Sequence, residues 1–173
     1  MKISSGRINL RPLRKSDYKF IFNLVNSEGW LQNIGNGNIN SLDDSKSYID
    51  KILHNPKYKY FVIDNKESKI SFGIITFLSK DKYKYPDLGF ALLPQFEGAG
   101  FAYEACCLFL QKYKSLYSYK KILGITKVDN IKSISLLKKL KFIKNKRLSC
   151  RELDIYEIET KILNLNQKQG GVG

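Results

Sequence analysis

Leu92-Leu93-Pro94-Gln95-Phe96-Glu97-Gly98-Ala99-Gly100-Phe101-Ala102 is an apolar strand end running into a turn with two glycines, from which a helix opens directly. Glycine adopts backbone conformations barred to other residues, so several N–H groups of such a turn can converge on one anion. The helix start adds unsatisfied donors and the positive end of its dipole. A pyrophosphate-bearing ligand suits this arrangement. Two phosphate loops are excluded by residue type. No Gly-x-x-x-x-Gly-Lys-Ser/Thr occurs, so the lysine and the magnesium-binding hydroxyl of a nucleotide-hydrolase loop are missing. The dinucleotide fingerprint requires a third glycine where Tyr103 stands. What remains is Gln-x-x-Gly-x-Gly over residues 95–100, a pattern that an unliganded strand–helix turn can also use.

Outward from this turn, a strand precedes it at Tyr85–Leu93 and a helix follows at Phe101–Lys114, with the stripe Ala102, Ala105, Cys106, Phe109, Leu110 and Tyr113. A strand at Lys121–Lys127 completes a strand–helix–strand unit, whose strands should be parallel with a right-handed crossover. Upstream, residues 7–11 read as a strand, and Ser16 or Asp17 caps a helix with Tyr18, Ile21, Phe22 and Val25 at helical spacing. Residues 29–40 read as a polar loop holding the only tryptophan, Trp30. Ser41 caps a second helix, with Asp43 and Asp44 in its first turn. Strands at Tyr58–Asp64 and Ile70–Leu78 are joined by a turn. Downstream, Asn130 caps a helix at Ile131–Leu140, and Phe142–Leu148 and Glu152–Glu159 form an antiparallel pair. The class is α+β: a mixed, mostly antiparallel twisted sheet of six to seven strands flanked by about four helices.

The 173 residues are read as one domain over 1–160 with a polar, disordered tail at 161–173. Hydrophobic content of 43% and charged content of 27% are those of an ordinary globular chain. No apolar run reaches the roughly 20 residues of a membrane span, and the first residues lack a secretory pattern, so no membrane association is expected and the cytoplasm is the expected compartment. The three cysteines include no Cys-x-x-Cys pair and the single histidine, His54, has no partner in sequence, so no metal site is expected. A net charge of +14 raises nucleic acid as a partner, yet the lysines are scattered and no aromatic–basic motif occurs, so specific nucleic-acid binding is not expected.

The glycine turn resembles the acetyl-coenzyme A (acetyl-CoA) loop of the Gcn5-related N-acetyltransferases (GNAT). Residues 9–17 resemble the first strand and helix opening of that family's ribosomal-protein acetyltransferase-like branch, Tyr85–Phe90 its fourth strand, and Asn130–Ser133 its second cofactor-contacting segment. The likeness covers roughly residues 7–160, with one departure: Lys141 stands where the family usually has glycine before the phenylalanine. The resemblance implies two strands that splay apart around coenzyme A, and acetyl transfer to a primary amine by direct attack in a ternary complex. It implies cofactor contacts from Ala91, Leu92, Leu93, Gln95, Gly98, Ala99, Gly100, Phe101, Ala102, Asn130 and Ser133. It also aligns Asp87 with the family's usual acidic base and Ser133 with the proton donor of the ribosomal-type branch. Trp30 and Tyr83 are expected to line the acceptor pocket. The acceptor is a protein N-terminus or a small-molecule amine, the protein a monomer or homodimer. The competing readings are a polyamine or antibiotic acetyltransferase and a non-catalytic acetyl-CoA-sensing or RNA-binding module.

Overall fold

A computed structural model describes residues 3–112 and 118–163. Eight strands form one sheet: β1 (Ile3–Ser4), β2 (Ile8–Pro12), β3 (Tyr58–Asn65), β4 (Ser71–Leu78), β5 (Asp87–Leu92), β6 (Lys121–Lys127), β7 (Ile143–Lys144) and β8 (Leu153–Glu159). Their spatial order is β1-β2-β3-β4-β5-β6-β8-β7. Every pair is antiparallel except β5–β6, the parallel pair of the strand–helix–strand unit.

Five α-helices are described: α1 (Tyr18–Val25), α2 (Glu28–Asn33), α3 (Leu42–His54), α4 (Phe101–Lys112) and α5 (Ile131–Lys139). They cover the sheet in two layers. Ala105, Cys106 and Phe109 of α4 and Leu137 of α5 pack on Ile8, Phe61, Ile63, Leu88 and Ile122. On the opposite face Ile21 and Leu24 of α1, Trp30 of α2 and Ile49 of α3 pack on Val62 and Ile74. Adjacent residues such as Phe61 and Val62 fall into different layers because strand side chains alternate between faces.

Several expectations are corrected. The polar loop expected at 29–40 is helical over its first residues, the body of α2, because burial of Trp30 in the cluster with Leu24 and Ile39 overrides the weak helix propensity of a segment with Gly29. The sheet gains β1, which pairs with β2 through Ile3↔Leu10. The strand expected over Phe142–Leu148 shrinks to β7, since Asn145 Oδ1 accepts from the N–H groups of Arg147 and Leu148 and turns the chain. Residues 161–163 of the expected tail are helical, and Leu163 packs against the core. Tyr113, Lys114 and residues 164–173 lie outside the described residues. Asp17 holds the N-cap position of α1 but makes no cap bond there; its carboxylate accepts from the Arg14 N–H and, bidentately at 2.8 Å, from Arg11. Arg11 also reaches Asp64 at 2.7 Å, so one partly buried guanidinium ties β2, β3 and the approach to α1.

Candidate active site

β5 and β6 meet at one register position, Asp87↔Leu123, and then part. The Leu123 N–H donates to the Pro86 carbonyl at 2.8 Å, but the Ile125 N–H donates at 3.1 Å to Asp87 Oδ1 instead of to β5. The Asp87 side chain thus takes the place of the next rung and holds the strands open. Its other oxygen accepts from Lys80 Nζ at 2.7 Å. Burial pushes the carboxyl up; the Lys80 charge and hydrogen bond and the Ile125 N–H oppose this, and the outcome stays above the ordinary carboxylate value.

The register decides which backbone groups border the gap. The Leu93 N–H donates to the Phe72 carbonyl at 2.8 Å and its C=O accepts from the Phe96 N–H at 2.9 Å, and by alternation the N–H and C=O groups of Ala91 face β4. Those of Leu92 and Phe90 face the gap. Ala91 and Leu93, expected to pair with a ligand arm, have their backbone groups directed to β4 and into the turn, and Phe90, which the sequence reading passed over, joins Leu92 on the open edge.

The glycine turn lies at one mouth of the gap. Gly98 and Gly100 have φ of +78° and +80°, a region where non-glycine residues are strained, and a Cβ at Gly98 would meet open space. Among the described residues, the N–H groups of Gly98, Ala99, Gly100, Phe101 and Ala102 have no protein acceptor. An anion-sized cradle with free donors and no obstructing side chain fits a pyrophosphate. The turn is braced from behind. The Arg7 guanidinium donates to the Ala99 carbonyl at 3.1 Å and to Glu104 Oε2 at 2.8 Å, and lies 4.3 Å from the Phe101 ring centroid. Gln95 is exposed in the 3-10 turn Pro94–Phe96. Across the mouth, Asn130 caps α5 by accepting the Ser133 N–H at 3.1 Å, which leaves its amide N–H groups and the Ser133 hydroxyl for a ligand. Lys132 of α5 pairs with Glu97 at 2.7 Å.

The gap opens into a cavity of about 490 Å³ that reaches both faces of the sheet. Ser133, Asn130, Gly98 and Ala102 line it on the α4–α5 side. Trp30, Tyr48, Tyr60, Lys80, Asp87 and Lys127 line it on the α1–α3 side. The Tyr48 and Tyr60 hydroxyls are 3.4 Å apart, and burial pushes both above an ordinary phenol, so both are neutral at pH 7. Tyr83, expected in the pocket, lies instead in the turn after Lys80, outside the lining residues. Lys80, Lys127, Tyr48, Tyr60 and the Arg7 brace escaped the sequence reading. Strand alternation places Tyr60 on the face of Val62, but nothing local says which strand interior opens into a cavity.

A family model described as an acetyltransferase (GNAT) domain matches residues 7–143. Among solved structures, the chain is similar to a spermidine N-acetyltransferase from Vibrio cholerae in complex with CoA and spermine, with a TM-score of 0.78, 20% identity, and 92% of this chain and 99% of that one covered. It is also similar to an acetyltransferase (GNAT family) from Bacillus anthracis, with a TM-score of 0.77, 16% identity, and 93% and 99% covered. At these identities the likeness is one of fold. No curated protein matches the sequence. The match from Arg7 to Ile143 spans most of the chain, which therefore belongs to the GNAT acetyltransferase family.

Proposed function

We propose that the protein transfers an acetyl group from acetyl-CoA to a primary amine. The observation that carries this reading is the gap between β5 and β6, with free N–H groups on the glycine turn at its mouth and a buried, ion-paired carboxylate where the strands begin to part. Acetyl-CoA, when bound, supplies the thioester carbonyl that the amine attacks. Gly98–Ala102 would hold its pyrophosphate through backbone N–H groups, and Leu92 and Phe90 would pair with its amide-bearing arm. A free N–H on the same edge is the donor available to the carbonyl oxygen.

Asp87 takes the amine's proton, directly or through water, as the nitrogen–carbon bond forms and the carbon–sulfur bond breaks. Its side chain shares the face of Gly89 and Ala91, the α1–α3 side, whereas Ser133 lies on the α4–α5 side, where it can return a proton to sulfur. Base and acid thus stand on opposite sides of the opened strands, the division that direct transfer between two substrates needs.

Thermal unfolding with saturating acetyl-CoA tests the binding half. We expect a rise in melting temperature that Gly98→Asp removes, because a carboxylate there adds bulk and like charge beside the phosphates. A shift of equal size in the variant places the ligand elsewhere. Mass-shifted products from a mixture of peptides and amines test the transfer half.

A further inference from the structure

The acceptor half of the cavity is more basic than a polyamine would require. Two carboxylates line the cavity, and both are already paired: Asp87 with Lys80 at 2.7 Å, and Glu97 with Lys132 at 2.7 Å. A third lysine, Lys127, has no carboxylate partner among the described residues; its Nζ donates to the Gln32 carbonyl at 2.5 Å. Strand alternation puts Lys127, two residues beyond Ile125, on the α1–α3 face that Asp87 shares. The α1–α3 side therefore carries Lys80 and Lys127 with Asp87, and Glu97, paired with Lys132, borders it beside Gly29 of α2. Its remaining walls include the aromatic rings of Trp30, Tyr48 and Tyr60.

A cation of several charges entering this space meets only carboxylates that already hold a lysine, and at the buried Asp87 it must compete with Lys80. A carbonyl oxygen stabilises Lys127 as a dipole and leaves its charge uncancelled, so an anion nearby gains a full charge–charge attraction. We propose that the acceptor is an amine with a carboxylate one or two residues away, such as a peptide N-terminus followed by acidic side chains, and that Lys127 selects it by pairing with that carboxylate. This rests on the acetyltransferase reading. A free acidic amino acid offers the same chemistry on a smaller body, and the aromatic walls favour the longer acceptor.

Initial rates of CoA release and product mass, measured with acetyl-CoA and separately with Ala-Asp-Asp, Ala-Ala-Ala and Ala-Lys-Lys amides, free aspartate and spermidine, test it. The acidic peptide is expected to exceed the neutral one by about tenfold in kcat/KM, chiefly through KM, with the basic peptide and spermidine lowest and the preference shrinking as salt rises. Free aspartate ranking first would assign the site to the small molecule and overturn the peptide assignment. Lys127→Glu is expected to reverse the ranking. Lys127→Gln keeps a donor for the Gln32 carbonyl and is expected to flatten it, an outcome that a purely structural lysine would not give. Preference for spermidine by the native protein, or a ranking unchanged in both variants, overturns the proposal while leaving acetyl transfer standing. No turnover of any amine, together with no thermal stabilisation by coenzyme A, overturns the acetyltransferase reading and the inference with it.

Discussion

Asp87 has an architectural place in the sheet and, in the proposed transfer, a chemical one. It ends the β5–β6 ladder through Ile125 and faces the α1–α3 side of the cavity with Lys80 as its partner. A base must be ionised, so a raised value moves the acid limb of the rate profile above the ordinary carboxylate range of about 3.9. Activity then falls as pH drops through that limb. Asp87→Asn should lose the limb and about 10²–10⁴-fold in rate, with part restored at high pH where the amine deprotonates itself. A pH–rate profile that keeps its shape and height in the variant would show that Asp87 only holds the strands apart. Stability has its own sign. The native state binds this proton more tightly than the unfolded chain, so the contribution of the neutral carboxyl fades as pH rises from the ordinary value through the raised one. The asparagine variant should not show that decline. Ser133→Ala should cost less than Asp87→Asn, because a thiolate with a reference pKa near 8.5 leaves moderately well unaided.

Lys141 is a second residue whose cost can be read directly. It has φ of +68°, its N–H donates to the Lys138 carbonyl at 2.9 Å, and the Phe142 N–H donates to Leu137 at 3.0 Å. This is the helix-ending motif that usually takes glycine at this position, so the turn geometry survives the departure from the family's pattern. A left-handed non-glycine residue costs roughly 1–2 kcal/mol, partly offset by glycine's greater freedom when unfolded. Lys141→Gly should therefore raise the urea midpoint by the equivalent of about 0.5–1 kcal/mol with an unchanged m-value.

Among elements, the position of α5 matters most for the site, since it carries Asn130 and Ser133. Its distance from β6 is set by Gly124, where a Cβ would stand 2.4 Å from Leu137 Cδ2 and 3.3 Å from its Cγ. The obstruction is the branched body of Leu137, so relief requires the helix to move. Gly124→Ala should cost about 1–3 kcal/mol and weaken acetyl-CoA binding by displacing both cofactor-side residues. Leu137→Ala in the same chain should recover part of the loss. Additive losses in the denaturation cycle would mean that the two do not share the contact.

Across the whole molecule, a charge of +14 invites polyanions, and the glycine turn with its free N–H groups and the cavity with Lys127, which has no carboxylate partner among the described residues, add local donors. We expect weak, sequence-independent nucleic-acid binding that collapses as salt rises, through counterion release. Tight and selective RNA binding at physiological salt in a gel-shift titration would make the acetyltransferase fold a scaffold for another task.

The glycine turn, the strand at Lys121–Lys127, the Ser41 and Asn130 caps and the α+β class are legible in the chain because each rests on neighbours within a few residues. Periodicity, capping side chains and glycine conformations are local, and local physics is written locally. α2 is not legible, since its helix depends on Trp30 finding a pocket built by Leu24 and Ile39. The free edge at Phe90 and Leu92 follows from a register shared with β4, which no single strand specifies. The α1–α3 wall of the cavity draws Trp30, Tyr48, Tyr60, Lys80, Asp87 and Lys127 from residues nearly one hundred positions apart. Which lysine is paired and which is not is a matter of distances between those segments, so only the tertiary structure decides it.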